Sequence, residues 1–413
     1  MKVLADVTPL RTSPAFRNLW LGGAISAVGG QFNSFAAMYA VWHLTGSSLM
    51  VGLLGLASGI PMVAIALAGS MFIDSVDRAA LARRATIGML CCSLLMAWAV
   101  LEHWVTVLIL FTAVAAALSS LAGPARRALT PTVVGSKELA AAYALTSLAF
   151  QLSMLIGPGL AALVATRFSL PVCFLLDAAS FLAALAGLRG LHRPPEAATA
   201  DRGVGAAVAG FRFAATQPVV RGALLCDLAA TLLAMPFALF PALNHDNFDG
   251  TAQTLAWLTT AVAVGGVTGS VCSGVITHRA HPGLVMVVCS MSWGVALIVA
   301  GASHLLVVTL AMLAIAGAAD TWAVTSRTTL VQSATPDRFR GRLSALEQLV
   351  GIGGPNLGNF RAGAVGNVIG AGPAMSLGGV TCVAAVAGII ATGRQLRGYQ
   401  LPASAADNVS AGT

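Results

Sequence analysis

From Trp104 the chain reads WVTVLILFTAVAAALSSLAGPARR, ending on Arg126 and Arg127. No charged side chain lies between Trp104 and Ala125. A helix rises 1.5 Å per residue, so about 20 such residues cover a hydrocarbon core of roughly 30 Å. The tryptophan at one end and the arginines at the other suit the two faces of a bilayer, where aromatic rings gather at the interface and basic residues stay on the cytoplasmic side. One apolar run alone also suits the core of a soluble protein, so its neighbours decide.

The same pattern recurs on both sides. Apolar runs between charge clusters predict helices near 18–43, 48–73, 85–102, 104–122, 139–165 and 168–190, and again near 218–244, 254–276, 283–302, 304–325, 344–365 and 371–392. Hydrophobic residues make up 57% of the 413 and charged residues 9%, whereas soluble domains carry about a quarter charged. The expected fold is an all-α integral membrane protein with twelve transmembrane helices. Its first run starts near Asn18 and passes Trp42 without a small-residue cleavage site, so it is expected to remain as a span.

Basic residues alternate by connector. All 23 except Arg167 and Arg361 fall on one side when the connectors are counted through, which predicts that both termini and the central loop are cytoplasmic. Trp42, Trp98 and Trp104 fall at predicted outer helix ends and Trp20 at an inner one, positions that suit either an interface or ordinary packing. The net charge of +8 follows from this topology, and no soluble domain gathers the charges into a nucleic-acid surface. Seven cysteines (Cys91, Cys92, Cys173, Cys226, Cys272, Cys289 and Cys382) sit within apolar runs without metal-ligand spacing and read as small packing residues.

The longest polar break, 191–217, is rich in proline and charge and suits a cytoplasmic linker between residues 1–190 and 218–392. Beyond 392 a cytoplasmic tail is expected, disordered from Pro402. The two six-helix halves also correspond at a nearly fixed offset. Arg78 matches Arg279, Arg126 matches Arg327, Leu129 matches Leu330, and Ala144-Leu145 matches Ala345-Leu346, while Pro14 and Arg17 match Pro218 and Arg221 three residues further on. A duplicated six-helix unit predicts a solute site near the bilayer midplane between the repeats.

Between the second and third predicted helices stand Gly69, Asp74, Asp77 and Arg78, followed by Arg83 and Arg84. The segment resembles the loop signature of the major facilitator superfamily, with Ser75 where that family usually has arginine. The resemblance implies that Asp74 and Arg78 take part in contacts that form in one conformational state and break in the other; the alternative is a solvated turn. Gly123 to Pro131 with Arg126 and Arg127, Glu138 to Leu145, and Pro336 to Leu346 with Arg327 upstream and Arg340, Gly341 and Arg342 within it, are similar to the paired cytoplasmic loops of the branch that includes the enterobactin exporter and related efflux proteins. Gly157-Pro158-Gly159 in helix 5 is similar to the Gly-Pro motif of antiporters in the superfamily, and is otherwise a plain kink, with Gly353-Gly354-Pro355 an approximate counterpart in helix 11. Two family features are missing. Helix 4 shows no buried arginine of the kind many drug/proton antiporters carry, and helix 1 has Gln31 where many relatives have an acid.

An acid in hydrocarbon costs about 2.5–3.5 kcal/mol on insertion scales and is a functional candidate by default. Asp177, Asp227, Asp320 and Glu347 qualify. Helices 7 and 10 of this fold usually line the cavity, which favours Asp227 and Asp320 as proton carriers. A hydrogen-bonded structural role is favoured for Asp177, and Glu347 suits a gate ion pair as well as a proton carrier. Gln31, Ser34, Tyr39, Gln151, Trp322 and Asn356 are candidates to line a polar, weakly charged cavity, or else they pack helices together.

The expected function is secondary active transport, by proton-coupled efflux of a small amphipathic organic solute such as a siderophore or drug, in a bacterial inner membrane and as a monomer. Small-molecule substrate, protons and lipid are the expected partners; no cofactor, metal or nucleic acid is expected. Symport is the main rival, and the Gly-Pro motif leans against it. An embedded enzyme would need a motif such as HExxH, GxSxG or a P-loop, none of which occurs, and a non-transporting scaffold of the same fold would more often carry a soluble partner domain.

Overall fold

The computed structural model describes residues 6–73, 77–191, 204–274, 281–392 and 394–399. Asp74, Ser75, residues 192–203 of the expected linker and the tail beyond Tyr399 lie outside the described residues. Those described fold as α1 (Thr8–Thr12), α2 (Pro14–Thr45), α3 (Ser48–Ile73), α4 (Arg78–Leu101), α5 (Val105–Val133), α6 (Leu139–Arg167), α7 (Leu170–Gly187), α8 (Val204–Thr216), α9 (Pro218–Ala234), α10 (Phe240–Asn247), α11 (Ala252–Val271), α12 (Pro282–Ala302), α13 (Leu306–Ala334), α14 (Asp337–Ile369), α15 (Ala371–Thr392) and α16 (Arg394–Gly398).

Among the described residues ten helical segments are long and apolar enough to cross a membrane, α9 and α10 counting together as Pro218–Asn247. Helices α2 and α14, 32 and 33 residues long, have the length but not the hydropathy. They carry Gln31, Asn33, Asn356, Asn359 and Arg361 among many glycines. Together with the ten they complete twelve membrane-length segments.

Several helices outrun the sequence expectation at the ends rich in arginine. Helix α4 begins at Arg78 rather than 85, α5 runs to Val133 rather than 122, α13 to Ala334 rather than 325, and α14 begins at Asp337 rather than 344. Hydropathy marks where the chain leaves the hydrocarbon, whereas backbone hydrogen bonding continues while alanine, leucine and arginine sustain it. Asp77 starts α4 by accepting the Ala79 amide at 2.8 Å. Part of the expected linker is also helical, because α8 is an alanine-rich segment despite its charge.

Contacts divide the chain into two compact units, Met1–Gly46 with Leu56–Gly203, and Ser47–Gly55 with Val204–Thr413. In the first, α2 packs on α7 and α6, and α4 packs on α5 and α7. Glycines permit the α2–α7 approach: a Cβ on Gly22 would stand 2.5 Å from the Ala183 carbonyl oxygen, and one on Gly187 2.5 Å from that of Asn18. In the second unit α12 packs on α13 and α15, and α11 on α13. There Gly265 lies so close to Ala314, and Gly317 to Val262, that a methyl group on either would overlap the opposing carbonyl.

The seventh membrane segment is broken. Helix α9 ends at Ala234, Met235 is extended, and a 3-10 turn over Phe237–Leu239 leads into α10. Pro236 removes a backbone donor at the break. Two side chains of α14 fill the gap: Arg361 Nη2 donates to the Leu233 carbonyl, and Asn359 Oδ1 accepts the Ala238 amide at 3.2 Å. A cation at a helix C-terminus also meets the negative end of the helix dipole. Arg361, one of two exceptions to the charge asymmetry, therefore lies among helix ends rather than in a connector. Replacing it by glutamine is expected to lower stability by about 1–3 kcal/mol, the cost of an unsatisfied buried carbonyl, read as a lower melting temperature of the purified protein.

Candidate transport site

Three of the four membrane acids fall in the second unit. Asp227 sits nine residues into α9, and its Oδ2 is ion-paired with Arg327 Nη1 of α13. Both side chains are buried. Arg327 Nε faces Glu347 Oε1 of α14 at 3.9 Å without a hydrogen bond. One guanidinium is thus shared between two carboxylates from different helices. Thr231, one turn beyond Asp227, bonds back to the Asp227 carbonyl at 2.8 Å. Asp320 lies seven residues before Arg327 on α13, roughly 10 Å along the axis. It is partly buried and makes no hydrogen bond among the described residues.

The fourth acid belongs to the first unit. Asp177 of α7 is buried, and its Oδ2 accepts from Ser93 Oγ of α4 at 2.6 Å and from Asn33 Nδ2 of α2 at 2.9 Å. Three helices meet on this carboxylate. Gly29 makes room for it, since a Cβ there would come within 2.9 Å of Asp177 Oδ1.

The residues expected to line a cavity are mostly engaged within their own unit. Trp322 Nε1 donates to the Gly269 carbonyl at 2.7 Å and ties α13 to α11. Asn356 Nδ2 bonds the Ile352 carbonyl at 2.8 Å, and Ser34 Oγ bonds that of Gly30 at 2.9 Å, each within its own helix. Tyr39 stacks between Phe35 and His43, with ring centroids 6.0 and 5.8 Å away. Gln31 folds its aliphatic stem against Gly157, which with Pro158 is buried within an unbroken α6; nothing lies within 4 Å of a Cβ built on Gly159. Gln151 is half-buried on α6.

The residues expected in gating loops are largely helical. Gly69 is in α3, Asp77 and Arg78 open α4, Arg126 and Arg127 lie inside α5, Arg327 inside α13, and Arg340, Gly341 and Arg342 inside α14. Arg126 is thus part of the fourth membrane helix, α5, half-buried in its last two turns rather than in a loop. Arg126 Nη2 donates to Thr86 Oγ1 at 2.8 Å, while its Nε is enclosed without a partner among the described residues. The extension of α5 beyond residue 122 is the reason. Arg340 pairs with Asp337 one turn back at 2.9 Å, and Arg342 lies 5.8 Å from the Phe339 ring centroid. Sequence reasoning missed Asn33, Ser93 and Asn359. All three are polar residues in apolar runs, which was the available signal.

The fold matches solved transporters across nearly their whole length. A nucleoside transporter gives a TM-score of 0.74 at 12% identity, covering 94% of this chain and 100% of that one. A bacterial homologue of the iron transporter ferroportin, in its inward-facing state, gives 0.70 at 16% identity over 93% and 99%. The fold is that of these solved transporters, and the family match over nearly the whole chain makes it a membrane transporter of major facilitator type. The match to the family described as transmembrane secretion effector runs over residues 4–410, and the chain belongs to that family. Among curated relatives, the enterobactin exporters of Shigella boydii serotype 18 and Escherichia coli O139:H28 are 28% and 27% identical to it over 370 residues, 88% of each chain.

Proposed function

We propose that this transporter exports a small amphipathic organic solute, of siderophore or drug-like type, in exchange for protons. The observation that carries the reading is the group on α9, α13 and α14, where Arg327 lies between Asp227 and Glu347 with Asp320 two turns away. Protonation of Asp227 releases Arg327 toward Glu347, so proton uptake changes which helices the guanidinium holds together. Asp320 passes the proton along α13. The similarity to enterobactin exporters over 88% of the chain supports export and a siderophore-like solute. The polar residues Gln31, Ser34, Tyr39, Gln151, Trp322 and Asn356 serve solute passage, and Asp74, Arg78 and the arginines of α5 and α14 serve the conformational cycle.

The protein works as a monomer in a bacterial inner membrane. Efflux-deficient cells expressing it should accumulate less enterobactin, or less of one member of a drug panel, than cells with empty vector. Greater accumulation would identify an importer instead, and no change across the panel would reject this solute class.

Both termini are cytoplasmic, a reading that rests on the basic-residue asymmetry. In a cysteine-free variant, Ala5→Cys and Ala405→Cys should resist an impermeant thiol reagent in intact cells and react after permeabilisation. Labelling from outside would invert the topology.

A further inference from the structure

The internal repeat places Asp227, Arg327 and Glu347 opposite Gly23, Arg126 and Thr146. Gly23 lies nine residues into α2 as Asp227 lies nine into α9, Arg126 lies 21 into α5 as Arg327 lies 21 into α13, and Thr146 precedes Glu347 by the 201 residues that separate the two arginines. The first unit thus keeps the arginine and lacks both carboxylates.

Where those carboxylates would stand there is a cavity of about 300 Å³. Gly23, Arg126, Arg127, Thr130 and Thr146 line it, and no acid is among its lining residues. Among the described residues, two donors on the lining side chains are enclosed without a hydrogen-bond partner, Arg126 Nε and Trp20 Nε1. Arg127 is exposed. The remaining wall is apolar, from Phe16, Leu19 and Phe150 among others. Arg126 is half-buried and bonded through Nη2 to Thr86, and among the described residues no acid lines the space beside it, so an anion there meets positive charge in partly desolvated surroundings.

We infer that this cavity is an oxyanion-binding site, which takes the carboxylate or phosphate of an amphipathic molecule whose apolar body rests on the aromatic wall. Arg126 and Arg127 supply charge, and the ligand takes the place that Asp227 and Glu347 hold in the second unit. The site does not depend on which solute is transported or in which direction. The same chemistry is available from a soluble organic anion and from an anionic lipid headgroup.

Purified protein in phosphatidylcholine nanodiscs should bind 1-naphthoate and not the neutral 1-naphthamide. Gly23→Asp should weaken that binding about tenfold or more, the effect of one charge-assisted contact, because a built-in carboxylate then occupies the arginine. Nothing lies within 4 Å of a Cβ at Gly23, so this variant retains both the space and the fold. Arg127→Gln, at an exposed position, should weaken binding in the same direction. If a lipid headgroup is the natural occupant, nanodiscs with added phosphatidylglycerol should lose naphthoate binding, and native mass spectrometry should find that lipid retained by the wild type and released by Gly23→Asp. Equal binding of the acid and the amide would overturn the assignment. So would naphthoate binding unchanged by Gly23→Asp, or no naphthoate binding together with equal lipid retention in both proteins.

Discussion

Asp320→Asn is expected to abolish uphill, pH-gradient-driven efflux from proteoliposomes and to leave downhill exchange of the same solute intact. The three other membrane acids are held by partners: Asp177 by Ser93 and Asn33, Asp227 by Arg327, and Glu347 by its approach to the same guanidinium. Asp320 alone of the four has neither a hydrogen bond nor an ion pair among the described residues. A carboxyl without a fixed partner gives up and regains a proton with the least rearrangement, and asparagine keeps its shape while removing the proton. Uphill flux should therefore fall to that of empty liposomes, with exchange near wild type, using enterobactin or whichever panel solute the wild type extrudes. Asp177→Asn is the contrasting variant. It should lower thermal stability, since three helices meet on that carboxylate, without uncoupling flux from the gradient. Unchanged uphill efflux in both Asp320→Asn and Asp227→Asn would remove these two residues as carriers.

Much of the fold is legible in the sequence because the bilayer imposes a length on every span. The apolar run after Trp104 and its nine apolar counterparts follow from that constraint, whereas α2 and α14 meet its length but not its hydropathy. What hydropathy could not register is helix that continues outside the hydrocarbon, which is why Arg126 and Arg327 read as loop residues. That misplacement hid their surroundings. The sequence picked out the acids by their cost in hydrocarbon, but their partners come from other helices: Asn33 is 144 residues from Asp177, and Arg327 is 100 residues from Asp227. Arg361 illustrates the same limit. It stood out as an exception to charge asymmetry, while its role depends on a break in α9 that only the packed structure brings beside it. The matched residues of the two halves are a reading of the sequence, and they become useful where matched positions differ in charge, as Gly23 and Asp227 do.

Arg327→Gln is expected to cause a large loss of stability. The guanidinium is buried, ion-paired to Asp227 and 3.9 Å from Glu347, so its removal leaves a buried Asp227 and a half-buried Glu347 without the cation they share. Breaking a buried pair by removing one partner costs about 3–5 kcal/mol, most of it the penalty of the charge left behind. Removing the stranded charge should therefore return much of the loss, so the double variant Arg327→Gln with Asp227→Asn should melt above the single variant in detergent. It should nevertheless fail to drive uphill efflux, because the shared cation that links proton binding to helix contacts is gone. A double variant no more stable than the single one would mean that Arg327 acts by packing its stem rather than by its charge. A single variant that melts with the wild type would show that the pair contributes nothing to the fold, and that its place in a conformational cycle is all that remains to explain it.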